Sequence, residues 1–297
     1  MNKRKGIILA GGSGSRLYPI TLGISKQLLP IYDKPMIYYP LSVLMMSGIR
    51  EVLIITTATD LPLFERLLGN GSHWGINLSF IVQPSPDGIA QAFILAEKFL
   101  DGAPSALILG DNIFFGTGLK EMLINVNEST SGATIFGYQV ADPRRYGVIG
   151  FSPDGVVNSL IEKPLEPLSN YVATGLYFLD SEASAKAKSL KPSARGELEI
   201  LSLLEIYMSE SKLTVEKIGR GHAWLDTGTH GSLIDAGNFV RTLQKRQGLQ
   251  IGNIEEISFK NGWIDKDKLK AHAIFFHATD YGKYLLSLLP TNYGNIK

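Results

Sequence analysis

The sequence predicts an α/β fold, a mostly parallel sheet flanked by helices with antiparallel additions in its second half. Two patterns and one count predict it. Short β-branched runs alternate with longer apolar stretches of helical length up to about residue 110, and after about residue 130 strand follows strand at turn signals. The apolar side chains, 44% of 297 residues, supply a core large enough for one big domain or two modest ones.

Residues 5–10, 51–56, 78–82 and 105–109 read as strands, and 36–47, 61–68 and 89–100 as the helices between them. Strict alternation implies parallel strands covered on both faces. Gly48 suits a helix C-terminus because it tolerates the left-handed conformation there, and Pro40 fits near a helix start. In the second half 133–140, 147–151, 156–162 and 174–179 read as strands, with a Pro153-Asp154-Gly155 turn between two of them. Helices follow at 182–189, 198–210 and 232–247, and the tail from residue 248 mixes short helical and irregular pieces. No linker, charge block or internal repeat divides the chain. The expectation is therefore one domain over 1–247, with halves of about 1–130 and 131–247, and a segment 248–297 packed on it.

Composition excludes several function classes. Lys and Arg number 29 against 28 Asp and Glu, so no overall field gathers nucleic acid or an anionic membrane. The absence of Cys excludes disulfides, thiolate metal sites and cysteine nucleophiles, and fits a reducing, cytoplasmic setting. The apolar run after the basic start covers only residues 6–10, far short of a signal-peptide core. The longest apolar stretch, residues 35–46, holds Pro40 and Ser42 and falls short of the roughly 20 residues a membrane span needs. That stretch is apolar around most of its circumference, which places it in the core or against a neighbouring subunit.

The first strand runs into Leu9-Ala10-Gly11-Gly12-Ser13-Gly14-Ser15-Arg16-Leu17. Clustered glycines let successive N–H groups face one point, making an anion nest at a strand's carboxyl end. The loop is not a Walker A motif, for no Gly-Lys-Ser/Thr follows, and it lacks the third glycine of the dinucleotide fingerprint. Arg16 can fork onto phosphate oxygens, and Lys26 lies ten residues on. Either cation alone reads as an ordinary surface charge; their place around a phosphate nest favours binding. The fourth strand ends in Gly110-Asp111-Asn112, so Asp111 faces the same crevice. A carboxylate beside phosphates points to Mg²⁺, and capping of a following helix is the alternative. Asp226, in Trp224-Leu225-Asp226-Thr227-Gly228-Thr229, is the most plausible second metal carboxylate. Tyr146-Gly147 after Arg144-Arg145, and Glu162-Lys163, suit a sugar phosphate: Glu162 takes hydroxyl protons and Lys163 takes phosphate, unless the pair is only a surface salt bridge. The histidines, His73, His222, His230, His272 and His277, show no metal spacing and read as structural.

These residues carry a family resemblance. Gly11 through Pro19, with Ser25-Lys26-Gln27-Leu28-Leu29-Pro30, resembles the signature of sugar-nucleotide pyrophosphorylases. The continuation Tyr32-Asp33-Lys34-Pro35-Met36-Ile37-Tyr38-Tyr39-Pro40 resembles the branch that acts with thymidine nucleotides on glucose 1-phosphate. The likeness extends through Gln83 to Gly88, Gly110-Asp111-Asn112, Glu162-Lys163-Pro164, Arg195 to Ile200 and Trp224 to His230. It implies a Rossmann-like nucleotidyltransferase sheet whose first half binds nucleotide and whose second half binds sugar phosphate. It implies transfer of a deoxythymidylyl group from dTTP to glucose 1-phosphate, with pyrophosphate released, in deoxysugar biosynthesis of the dTDP-rhamnose type. By the same resemblance Arg16, Lys26 and Lys163 are catalytic. Leu9, Gly11, Gly12, Ser13, Gly14, Ser15, Arg16, Gln83, Gly88 and Asp111 bind nucleotide. Asn112, Tyr146, Gly147, Glu162, Lys163, Ala173, Arg195 and Trp224 bind the sugar phosphate, and Asp111 with Asp226 ligates Mg²⁺. A homotetramer is implied too, with feedback by a dTDP-sugar end product at an interface involving Tyr39, Phe115, Gly116 and Arg220.

The chain departs from the family pattern in places. Val172-Ala173 stands for the usual Ala-Val, so a backbone contact is what carries over at Ala173. Leu201-Ser202 stands for Thr-Asp near the sugar, and Lys260 for a frequent Arg. Uridylyl- or cytidylyltransfer shares the glycine loop, and uracil offers Gln83 the same edge as thymine. A catalytically silent nucleotide-sugar sensor is opposed by the retained Arg16, Lys26, Asp111, Lys163 and Asp226. A dinucleotide oxidoreductase is opposed by the missing third glycine and by the lack of an acidic residue near Thr56.

Overall fold

The computed structural model describes residues 3–289. Its first strand, β1 (Lys5–Leu9), leads to a small hairpin of β2 (Pro30–Ile31) and β3 (Lys34–Pro35), then to β4 (Glu51–Thr56), β5 (Asn77–Val82) and β6 (Ser105–Leu109). Parallel pairing sets β5, β4, β1 and β6 side by side. After β7 (Asn112–Gly116) come β8 (Ala133–Gln139), β9 (Gly147–Phe151), β10 (Val157–Glu162) and β11 (Tyr171–Leu179), and finally β12 (Leu213–Ile218) and β13 (His222–Asp226). Strand β11 lies antiparallel to β6 and, further along the same edge, to β9, while β8 pairs along its opposite edge, joining the antiparallel additions to the parallel core.

Both faces of the sheet are apolar, and alternate residues serve them. Ile8, Val52, Ile54, Ala106 and Ile108 face one buried cluster, while Ile7, Leu53, Ile55 and Leu107 face another. The first cluster is closed by α1 (Tyr38–Met46) and α2 (Leu61–Leu68). The second is closed by α3 (Gln91–Leu95) and α4 (Glu97–Leu100). Then α5 (Leu119–Glu128) joins the first face, and α6 (Ala183–Lys188) and α7 (Ile200–Ser209) the second. Each fully buried Ile or Leu here contributes about 1.5–3 kcal/mol relative to exposure. Helix α1 is buried nearly all round: Tyr39, Leu41, Val43, Leu44 and Met45 are each at most 1% exposed, so the apolar stretch is core of this chain.

The long α8 (His230–Gln247) opens on a capping box. The Thr229 side chain accepts from Ser232 N at 3.2 Å, and the Ser232 hydroxyl accepts from Thr229 N at 3.0 Å. The chain ends in α9 (Ile254–Lys260), α10 (Lys266–Phe275) and α11 (Asp280–Ser287), with a small core of their own around Leu269, Ala273 and Leu285. Trp74 Nε1 donates to Glu255 at 3.0 Å and Asn261 donates to Met45 O at 3.2 Å, tying these helices to the first face. Residues 290–297 of the expected C-terminal segment lie outside the described residues.

Expectation and structure agree residue for residue at 51–56, 61–68, 105–109 and 147–151. The helix expected over 89–100 breaks at Ala96 into α3 and α4. The hairpin, β7, α5, β12 and β13 are elements that the sequence patterns do not assign. The structure also rejects Asp111 as a helix cap, because a strand, β7, follows it.

Candidate active site

The glycine loop leaves β1 and closes a cleft at the carboxyl ends of the parallel strands. Gly12 and Gly14 hold φ of 94° and 60°, left-handed values that L side chains rarely adopt, and they turn the loop back over the sheet. With Gly11, Ser15, Arg16, Lys26 and Gly228 they line a hollow of about 110 Å³. Ser13 lies exposed at the loop's crest, whereas Leu9 packs into the second core cluster and its carbonyl accepts Gly110 N at 2.9 Å. Leu9 therefore borders the cleft through its backbone.

Two aspartates meet on the floor, although 115 residues separate them in sequence. Strand β13 pairs antiparallel with β7, setting Asp226 opposite Asn112, the neighbour of Asp111. The junction is locked by Thr227, whose hydroxyl donates to Asp111 O at 2.8 Å and whose N donates there at 3.2 Å. The capping box of α8 holds Thr229, two residues further on. Asp111 is buried, and its carboxylate receives Lys26 Nζ and, at 3.0 Å, Asn112 Nδ2. Burial pushes this carboxyl up, but the Lys26 charge and those hydrogen bonds outweigh burial and hold it below the ordinary range. Asp226 is raised, by burial first and then by the Asp111 charge, against partial relief from Arg16, Lys26 and Arg145. No described residue donates a hydrogen bond to the Asp226 carboxylate. Arg16 completes the group: a Cβ at Gly228 would stand 3.0 Å from both Arg16 Nη2 and Asp226 Oδ1.

This donor set suits Mg²⁺, which takes one or two carboxylates together with phosphate oxygens and water. No cluster of three or more His, Cys, Asp or Glu able to form an all-protein cage occurs among the described residues. The geometry fits: the β13–β7 register brings Asp226 beside Asp111, and no described residue donates a hydrogen bond to the Asp226 carboxylate, so two acidic groups share the floor with cations that only partly offset them.

Asn112 joins this floor to the other half of the site. Its Oδ1 accepts Trp224 Nε1 at 2.6 Å and Gly175 N at 3.1 Å. The register of β11 against β8 slips between Ala173 and Tyr177, and Gly175 gives way there, since a Cβ would fall 2.6 Å from Asn112 Oδ1. Asn112 and Trp224 thus spend their side-chain polar groups on one another and on the frame. Tyr146 stacks edge-on against Trp224 with ring centroids 5.3 Å apart, and the Asp226 charge adds to burial in raising its phenol. Beyond it Gly147 pairs in register with Glu162. Lys163 Nζ sits 3.1 Å from Glu162 Oε1, and Arg195 Nη2 3.7 Å from the same oxygen. Arg195 is held more tightly by Glu199, at 2.8 Å. Ala173 pairs with Gly137. Leu201 closes over Gly147, where a Cβ would meet its Cδ1 at 3.0 Å, so the apolar departure borders the Gly147–Glu162 pair.

Gln83 lies against the glycine loop: a Cβ at Gly11 would stand 2.0 Å from Gln83 Oε1. Gly88, at φ 105°, abuts the Leu198 backbone, where a Cβ would come within 2.4 Å of Leu198 O. Sequence patterns assign no role to Thr227, Gly175 or Gln91, which enter by tertiary contact, whereas Arg145 belongs to the basic pair before Tyr146 and its charge reaches Asp226. Of the four residues tied to feedback, Phe115 and Gly116 line a separate cavity of about 280 Å³ with Lys120 and Lys260. Tyr39 is buried behind it, donating to Ile31 O at 2.8 Å, and Arg220 lies on an exposed turn before β13.

A cleft built from a glycine nest, paired carboxylates and converging cations defines a class of protein that handles phosphates. The chain belongs to the nucleotidyl transferase family, whose model matches residues 5–242. It is 58% identical over 288 residues to a glucose-1-phosphate thymidylyltransferase of Xanthomonas campestris pv. campestris, covering 97% of this chain and 98% of that one. It is 54% identical over 288 residues to the glucose-1-phosphate thymidylyltransferase of Mycobacterium tuberculosis, covering 97% of this chain and all of that one. A crystal structure of a Bacillus anthracis chain bearing the same name, in complex with sucrose, superposes with a TM-score of 0.75 at 39% identity, over 80% of this chain and 95% of that one. The fold is shared as well with a UDP-glucose pyrophosphorylase at a TM-score of 0.70 and 24% identity, over 81% and 99% of the two chains.

Proposed function

We propose that this chain transfers the deoxythymidylyl group of dTTP to glucose 1-phosphate, forming dTDP-glucose and pyrophosphate. The observation that carries the reading is the meeting of Asp111, Asp226, Lys26 and Arg16 beneath the glycine loop, in a chain related over nearly its full length to enzymes of that name.

The sugar phosphate is already an anion, so the attacking oxygen needs no general base. The difficulty is electrostatic: two polyanions must meet in line. Backbone N–H groups of Gly11 to Ser15 hold the triphosphate, with Arg16 toward the departing pyrophosphate. Lys26, which neutralises Asp111 in the structure, exchanges to phosphate oxygens as the nucleotide arrives. Lys163 and Arg195 orient the sugar phosphate, Glu162 takes a sugar hydroxyl, and Tyr146 with Trp224 walls the sugar. The sugar-phosphate oxygen bonds to the α-phosphorus as the bond to pyrophosphate breaks. Asp111 and Asp226 would hold Mg²⁺, which supplies charge neutralisation at the α-phosphate. Gln83 and Gly88 face the base. We place nucleotide binding in about 1–130 and sugar-phosphate binding in about 131–247, with the remainder packed on the same domain. End-product feedback at the Phe115 and Gly116 cavity, in a cytoplasmic homotetramer, belongs to the same reading.

The test incubates the purified protein with Mg²⁺, each nucleoside triphosphate and each hexose 1-phosphate, and follows pyrophosphate release. Fastest release is expected with dTTP and glucose 1-phosphate. Preference for UTP or CTP would reassign the base, and no release with any pair would overturn the reading in favour of a sensor.

A further inference from the structure

Beside the glycine loop, four polar side chains form a directional chain. Gln83 Nε2 donates to Gln91 Oε1 at 2.7 Å, Gln91 Nε2 donates to Asp87 Oδ2 at 2.8 Å, and the Ser85 hydroxyl donates to the same carboxylate oxygen. An amide by itself has no preferred sense, because its oxygen and nitrogen exchange by a half-turn. An ionised carboxylate does, for it can only accept. Asp87 therefore obliges Gln91 to present its nitrogen inward and its oxygen outward. Gln91 in turn obliges Gln83 to donate toward it. The Gln83 oxygen is left facing the Gly11 α-carbon side of the cleft, where it accepts no hydrogen bond from a described residue. The backbone fixes the ends of the chain: Gln83 N donates to Thr56 O at 2.7 Å and Asp87 N to Ser85 O at 2.9 Å. Gln91 opens α3, whose buried Ala92 and Phe93 anchor it in the second core cluster.

We infer that Asp87 and Gln91 are positioning residues that fix the sense of the Gln83 amide and so select the base. The inference rests on the reading that Gln83 faces the base edge. An oxygen held opposite ring position 3 accepts the N3–H of thymine or uracil. It opposes the N3 lone pair of cytosine, and buried groups left mismatched in this way discriminate strongly. The carboxylate two links away does the selecting without touching the nucleotide.

The experiment measures kcat and KM for thymidylyl and cytidylyl transfer to glucose 1-phosphate with dTTP and dCTP, and equilibrium binding of both nucleotides, in four forms of the full chain. Asp87→Asn lets the chain run in either sense, and Gln91→Met cuts it. Each is expected to lower the dTTP:dCTP preference at least about tenfold, chiefly through KM and binding, with kcat for dTTP little changed. The double variant Asp87→Asn with Gln91→Glu moves the obligate acceptor one link along. The new amide at position 87 then donates to the new carboxylate at position 91, which again compels Gln83 to donate, and the dTTP preference is expected to return. A merely structural role predicts instead that both nucleotides lose alike and that the double variant is worse than either single one. That result, or an unchanged preference in Asp87→Asn, overturns the inference. Should the parent transfer neither nucleotide yet bind dTTP over dCTP, with the preference following the variants as stated, the relay stands and the thymidylyl-transfer reading falls.

Discussion

Asp226 and Glu255 are both carboxylates carried inward by the fold, and their surroundings differ in kind. Glu255, 1% exposed, receives Trp74 Nε1 at 3.0 Å, the Tyr281 hydroxyl, and His272 Nδ1 at 3.4 Å. Burial pushes its carboxyl up, but the hydrogen bonds from His272, Tyr281 and Trp74 outweigh that and hold it below the ordinary range. Asp226 receives no hydrogen bond from a described residue and shares its volume with Asp111, so its carboxyl is raised. A carboxylate whose lone pairs are all met by protein donors belongs to the frame. One that is brought inward and left to a neighbouring acid and nearby cations is fitted for something that arrives.

The comparison can be broken at either end. Arg16 is exposed and lies beside Asp226 at Gly228, so Arg16→Met should leave the melting temperature alone and lower kcat about 10²- to 10³-fold, or about 2.7–4 kcal/mol of barrier. Steady-state pyrophosphate release measures it, and a loss under about tenfold would remove Arg16 from the transition state. Glu255→Ala should do the reverse. It strands a buried indole N–H, a phenol and an imidazole, and should cost about 3 kcal/mol in urea denaturation, with kcat per folded molecule unchanged.

Smaller effects sharpen the contrast. In Gly11→Ala the new methyl meets Gln83 Oε1 at 2.0 Å, so the Gln83 side chain must swing away. The nucleotide KM should rise about tenfold, the value of one hydrogen bond of about 1.4 kcal/mol, with kcat retained. The acid limb of stability offers the smallest effect. Because the folded Glu255 carboxyl is depressed, the unfolded chain takes up the proton first as pH falls. Its stabilisation is complete above the ordinary Glu value near about 4.3 and is lost as pH drops through the lower folded value. Glu255→Gln should flatten that limb in denaturation midpoints taken across the acid range, while Asp226→Asn should not.

The contrast also shows what was legible in the sequence. The parallel strands and α2 are readable because their periodicity is local: Val52 to Ile55, within Glu51–Thr56, is a continuous apolar run that only a sheet covered on both faces accommodates. Strands β7 and β13 are not, because five-residue runs such as Asn112–Gly116 and His222–Asp226 gain their identity from each other. The site follows the same rule. The glycine loop with Arg16 and the strand end at Asp111 announce themselves within a few residues. The closeness of Asp226 to Asp111 depends on a pairing across more than a hundred residues and on Thr227 locking the junction. Asn112 and Trp224, which the resemblance assigns to the sugar phosphate, hydrogen-bond each other, a pairing that no sequence spacing announces. The chain from Gln83 to Asp87 is likewise invisible in spacing, since its sense is set by which atoms face one another.

The most direct measurement is kcat of Asp226→Asn at saturating Mg²⁺, dTTP and glucose 1-phosphate, paired with its melting temperature. The amide removes one of two crowded acids and no hydrogen bond to a described residue. The melting temperature is therefore expected to hold or rise, while kcat falls at least about 10²-fold. Turnover close to the parent's would place the reaction away from the two aspartates and contradict the account.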